Sequence, residues 1–145
     1  MKYICDAGAG RTWFRIETEA EADAESRDMR HAVEKYFRRE LERARETYRP
    51  TSAVAIERDI GLKAHITRTM PLFATLRADD GEALVTAMLP PEARNEVNFR
   101  TVIVGPENAD PYSAHGDAIE RLGAHFGLTL PRESCFPYAV RDIGY

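Results

Sequence analysis

The chain has 145 residues, 43% of them hydrophobic and 30% charged, with a formal net charge of −4. That balance is ordinary for a globular protein and argues against a general nucleic-acid binder, which needs clustered basic charge. No run approaches the ~18 consecutive apolar residues of a membrane helix, so neither nucleic acid nor membrane is an expected partner.

The length suits one domain over 1–145. Met1 leads within two residues into a strand-like segment, so no signal peptide is expected. Cys5 and Cys135 lie at opposite ends of the chain, which is neither a disulfide framework nor a zinc spacing. A reduced, cytoplasmic protein is the expected setting.

In chain order, Lys2 to Asp6 and Thr12 to Glu17 read as two strands of a hairpin. Ala7-Gly8-Ala9-Gly10 supplies the loop between them. A phosphate loop should open a helix, but strand-like Trp13-Phe14 follows here.

Thr18 with Glu21 three residues on has the spacing of a capping box. It opens the longest periodic run in the chain, Glu19 to Arg49. Met29, Val33, Tyr36, Phe37, Leu41, Ala44 and Tyr48 make one stripe at steps of three and four. Acids gather early and arginines late, which complements the helix dipole. Pro50 ends the run. One continuous helix of this length would be a rod of roughly 45 Å, long enough to span or overhang one compact body. Its Ala- and Glu-rich first turns carry little apolar stripe and either project past that body or break away as a separate short helix.

From Val54 to Leu72 the apolar residues fall on even positions: Val54, Ile56, Ile60, Leu62, Ala64, Ile66, Met70, Leu72. Such alternation predicts strand, with a bend at Asp59-Ile60-Gly61. A short helix over Ile60 to Arg68 competes, because Ile56/Ile60 and Leu62/Ile66/Met70 also fit steps of four. The clearest hairpin follows, Leu72 to Arg77 and Glu82 to Leu89 around Ala78-Asp79-Asp80-Gly81. Phe99 to Val104 is a further strand. Asp110 caps a second helix with apolar positions Ala114, Ala118, Ile119, Leu122 and Phe126, closed at Gly127. Cys135 to Val140 reads as a last edge strand.

Possible chemistry is thin. His115 and Asp117 form an H-x-D pair, but positions two apart do not share a helix face. His125 lies nearly three turns further along, too far for a shared ion. No metal or other cofactor is expected. His65 is a possible general base if a carboxylate orients it, and Cys135 is a possible nucleophile if the fold brings a histidine to it. Trp13, Phe73, Phe99 and Tyr112 are the candidate lining of a pocket for an apolar ligand. Core packing is the competing role for the first three and for Phe14 and Tyr138.

The expected fold is therefore α+β: a two-layer sandwich with an antiparallel sheet of about five to seven strands and one long and one shorter helix on one face. In element order alone this resembles the profilin and roadblock layout, whose members are mostly interaction scaffolds. The expected function is a binding or assembly module, homodimeric, acting through its sheet or long helix on a protein or small apolar ligand. The other class is a small hydrolase or transferase with its site around His115, Asp117, His65 or Cys135.

Overall fold

The computed structural model describes residues 1–139. β1 (Lys2–Gly8) and β2 (Arg11–Arg15) form the first hairpin. Ala9 and Gly10 both take positive φ, 54° and 72°, as a tight hairpin turn requires. The glycine-rich stretch is thus a turn between strands. β3 (Leu72–Arg77) and β4 (Ala83–Leu89) form the second hairpin around the expected Asp-Gly turn. There Gly81 sits at φ 88°, and the Ala78 N–H donates to Glu82 O at 3.0 Å. β5 (Val102–Val104) completes the sheet. Among the described residues the sheet is five-stranded, ordered β1-β2-β3-β4-β5, and every neighbouring pair is antiparallel. With its helices it is an α+β fold.

Three expectations of secondary structure are corrected. First, the long helix is two helices, α1 (Glu19–Met29) and α2 (Val33–Thr47). Arg30 closes α1 in the left-handed conformation (φ 54°, ψ 50°). The Ser26 hydroxyl then accepts from the Glu34 N–H at 3.0 Å, capping α2 from α1. The chain folds back on itself: Arg38 donates to both Asp23 carboxylate oxygens at 2.6 and 2.7 Å. One straight helix would hold these residues ~22 Å apart. The 45 Å rod does not exist: the Ala- and Glu-rich first turns form the separate short helix, although the periodicity does not mark where it ends. Met29, Val33, Phe37 and Leu41 keep a step of four straight across the break, with neither Gly nor Pro at the turn. The expected capping box is present, with Thr18 Oγ1 accepting from the Glu21 N–H at 3.1 Å and Glu21 Oε1 accepting from the Thr18 N–H at 3.1 Å.

Second, the alternating segment is helical: α3 spans Ala55–Thr69. Gly61 marks no bend. It makes room for Tyr48, whose hydroxyl would lie 2.3 Å from a Cβ at that position. Third, the strand expected over Phe99 to Val104 shortens to β5, and the edge strand expected from Cys135 reduces to a single parallel bridge between Phe136 and Val102. The remainder of that expected strand, at Val140, lies outside the described residues.

The layer arrangement is also corrected. Side chains alternate across each strand, and both sheet faces are apolar. Trp13, Leu72, Ala74, Leu76, Val85 and Ala87 point to one face, where Ala118, Ile119 and Leu122 of α4 (Tyr112–Phe126) cover them. Phe73 and Met88 point to the other face, where Ile16, Ala22, Val33 and Phe37 of the β2–α2 segment meet them. The sheet therefore carries helices on both faces. α4 ends as expected at Gly127, φ 73°, with the Leu128 N–H returning to Gly123 O at 2.8 Å.

Candidate functional site

The layer formed by α1 and α2 does not reach the β5 end of its sheet face, and a groove of about 570 Å³ opens there. Its floor is a cross-strand ladder. Thr86 is paired with Val104, Met88 with Val102, and Phe73 with Met88. One wall is the start of α2, with His31, Val33, Tyr36 and Arg39. The other wall is Arg100, Asn108, Phe136 and Pro137. The bridge that ties Phe136 to Val102 is what holds this second wall against the sheet edge.

Behind the floor lies a buried polar network. Glu25 is 0% exposed, although it sits on the helical stripe Ala22/Glu25/Met29. Its carboxylate accepts from Thr75 Oγ1 at 3.0 Å, Arg77 Nη2 at 2.5 Å and Thr86 Oγ1 at 2.5 Å. A buried carboxylate is costly unless it is paired and hydrogen-bonded, and here both conditions are met. The network ends in the groove. Thr86 spends its hydroxyl proton on Glu25, so its oxygen accepts from His31 Nε2–H at 2.8 Å. His31 Nδ1 in turn accepts from the Val33 N–H at 3.4 Å. With both nitrogens engaged the neutral ring is the satisfied form, and burial lowers its pKa in the same direction. His31 therefore fixes the α1–α2 turn to the sheet and presents its ring to the groove, with no free nitrogen to act as a base.

Among the described residues the groove's cationic groups are two arginines. The Arg39 guanidinium lies over the Tyr36 ring at 4.9 Å, and the Arg100 guanidinium over the Phe136 ring at 5.0 Å. Among the described residues no Asp or Glu lines the groove.

The residues expected to carry chemistry lie elsewhere, and they are dispersed. His115 and Asp117 do meet, but through Arg11. All five N–H donors of that guanidinium are used: Nε to Gly8 O at 3.0 Å, Nη1 to His115 Nδ1 and Asp117 Oδ1 at 3.1 Å each, and Nη2 to Ala7 O at 3.3 Å and Asp117 Oδ2 at 2.6 Å. This clamp fastens the first hairpin to α4. The hydrogen bonds from Arg11 hold the Asp117 pKa down at about 2. Burial, with the Arg11 charge beside it, lowers that of His115.

His65 is on α3, with Nε2 2.8 Å from Thr47 Oγ1 and its ring against Tyr48. Cys135 is buried in the α4 core, where burial raises its pKa, the wrong direction for a nucleophilic thiol. Cys5 and Cys135 are both free thiols.

Of the expected ligand-binding aromatics, Phe73 forms part of the groove floor. Trp13 is core, its indole N–H donating to Ala118 O at 2.8 Å. Phe99 is half-buried in the loop before β5 and does not line the groove. Tyr112 packs edge-on against Tyr138 and donates to Leu130 O at 3.0 Å. Sequence reasoning missed His31 and Arg100. Arg39 and Glu25 it placed only among the late arginines and early acids of the long helix, the arginines as a possible basic patch, without the groove or the buried network. One signal was available: an acid at the helical spacing of a buried stripe, Ala22/Glu25/Met29, announces a buried polar contact.

Comparison of the chain with protein families, curated proteins and solved structures finds no match. The likeness in element order to profilin and roadblock proteins therefore transfers no function.

Proposed function

We propose that the protein is a binding module whose sheet-face groove takes a small, largely apolar molecule. The observation that carries this is the groove itself: its floor is Phe73, Met88, Val102 and Val104 on a rigid sheet, and its volume of about 570 Å³ is of small-molecule size. The test is a titration with octan-1-ol followed by amide chemical shifts. Shifts clustered on β4, β5 and the start of α2 are expected, and Val102→Trp, which fills a half-exposed floor position, should abolish them without unfolding the protein. Shifts scattered over the surface, or unchanged by Val102→Trp, count against the groove.

A hydrolase or transferase site at His115, Asp117, His65 or Cys135 has less support. Each of these groups is already engaged in holding local structure or is buried in the core.

Assembly as a homodimer is a second proposal, and its support is α3. Val54, Ile56 and Ile60 stand 51%, 68% and 63% exposed on or beside one helix. A second copy laid against this stripe would bury it. Sedimentation equilibrium at tens of micromolar should give a dimer that Ile56→Glu with Ile60→Glu converts to monomer. A wild-type monomer at that concentration removes the proposal. A cytoplasmic setting belongs to the same reading and is consistent with two separate free thiols.

A further inference from the structure

We infer that the molecule taken by the groove carries an anionic end, held by Arg39 and Arg100, on an apolar body that lies over Phe73, Met88, Val102 and Val104. The inference rests on the reading of the groove as a binding site and adds the charge of its occupant.

Among the described residues the charges of the lining have one sign: Arg39 and Arg100 are its permanent charges, and no carboxylate faces them from either wall. His31 adds no positive charge, because its ring nitrogens are used by Thr86 and Val33 in the neutral form. Among the described residues Arg100 makes no ion pair with an acid, although acids outnumber bases in the chain, 24 to 20. The acid next to Arg39 is its sequence neighbour Glu40, at 3.4 Å, which does not line the groove and is shared with Arg43.

The posture of the two arginines matters as much as their charge. A guanidinium over an aromatic ring uses its flat face for the stack and keeps its in-plane N–H donors for an anion. Tyr36 and Phe136 thus hold two forks whose donors suit a carboxylate. The amide of Asn108 adds a neutral hydrogen-bonding group on the same wall as Arg100. A cationic amphiphile would meet two like charges. A neutral one would leave to water the Arg100 fork and the part of the Arg39 fork that Glu40 does not take.

Three probes of one chain length separate these cases: octanoate, octan-1-ol and octylammonium, each titrated into the full chain with amide shifts as readout. Octanoate should bind at least about tenfold tighter than octan-1-ol at low salt, the gain expected of one or two charge-assisted hydrogen bonds. Octylammonium should be the weakest. The octanoate advantage should shrink in 0.5 M salt, since exposed charges are screened. Arg100→Gln and Arg39→Gln together should bring octanoate to the affinity that the alcohol has for the same variant.

Equal binding of octanoate and octan-1-ol, or tightest binding of octylammonium, overturns the anionic inference and leaves the groove as a binding site. The same holds if octanoate keeps its advantage in the double arginine variant. If no probe shifts the floor residues, the groove reading falls and this inference with it. The comparison of probes on the wild-type chain stands even if a variant folds poorly.

Discussion

α3 and α4 are both helices of 15 residues, and they are held in opposite ways. α4 buries Ala118, Ile119, Leu122 and Gly123 on one arc, against a sheet face that carries Trp13 and Leu76. Arg11 clamps its first turns through His115 and Asp117. α3 buries no residue. It leans on α2 and on the turn Pro91–Ala93 through half-buried Leu62, His65 and Ile66, and its other side is open. The cause lies in the phase of the apolar residues. On a helix, residues two apart are turned by about 200°, so an alternating sequence lays its apolar residues on two opposite stripes. One stripe of α3 meets α2, and the other, with Ile56 and Ile60, meets solvent. The same alternation that suits a strand gives a helix one unpartnered apolar side.

Substitutions can test this contrast. The largest effect should come from Leu122→Asp, which puts an unpaired charge into the α4 core at a position 0% exposed. A loss of more than ~4 kcal/mol is expected, seen as insoluble protein or absence of a cooperative melt. A soluble variant that melts near wild type would show that α4 is no better anchored than α3. Next is Arg11→Ala, which strips hydrogen-bond partners from Ala7 O, Gly8 O and Asp117 at once. About 2 kcal/mol should be lost in urea denaturation, and a value near zero would leave α4 held by its apolar arc alone.

The same clamp has a pH signature. The Asp117 pKa is depressed to about 2 by Arg11, against about 3.9 for an unperturbed carboxyl. A depressed acid stabilises the fold above its unfolded pKa, and that contribution is lost as pH falls through the folded pKa. The difference in denaturation midpoint between wild type and Asp117→Asn should be constant above about pH 4 and narrow as pH falls from 4 towards 2. A difference that does not change over that range would mean the contact is not ionic.

The smallest effect should be Ile60→Asp, within about 0.5 kcal/mol of wild type as for other surface changes. Amide exchange should agree, with α3 opening well before α4. A severe loss of stability in the monomer, or equal protection of the two helices, would break the comparison from the other side.

Much of the frame was legible. Both hairpins, the capping box at Thr18/Glu21 and the Gly127 closure of α4 follow from residue types that serve few other purposes. The weak apolar stripe of the first turns allowed a separate short helix, but the position of the break at Arg30 was not legible, because the stripe from Met29 runs through in step and the left-handed residue is not a glycine. Nor was α3, since periodicity cannot separate a strand from a helix with two stripes. The covering of both sheet faces was written in β3 and β4, where Leu72, Phe73, Ala74 and Leu76 leave little polar surface. The groove was the least legible part. Phe73, Arg39, Arg100 and Phe136 are far apart in the chain, and only the sheet register and the bridge at Val102 bring them to one place. The chemistry-bearing residues that did stand out, His115 and Asp117, turned out to hold an arginine.

The sheet order has a practical consequence. Sequential strands pair throughout, and β2 and β3 alone are joined by a long excursion, residues 16–71, which carries α1, α2 and α3. Doubling the length of a flexible connection adds only about 0.6 kcal/mol of closure entropy. Exposed Pro50 and Thr51, between α2 and α3, therefore offer a position where a fluorophore-bearing peptide or a whole guest domain can be spliced in while both hairpins keep their register. Such a fusion would report on α3 through the guest and leave the mouth of the groove clear.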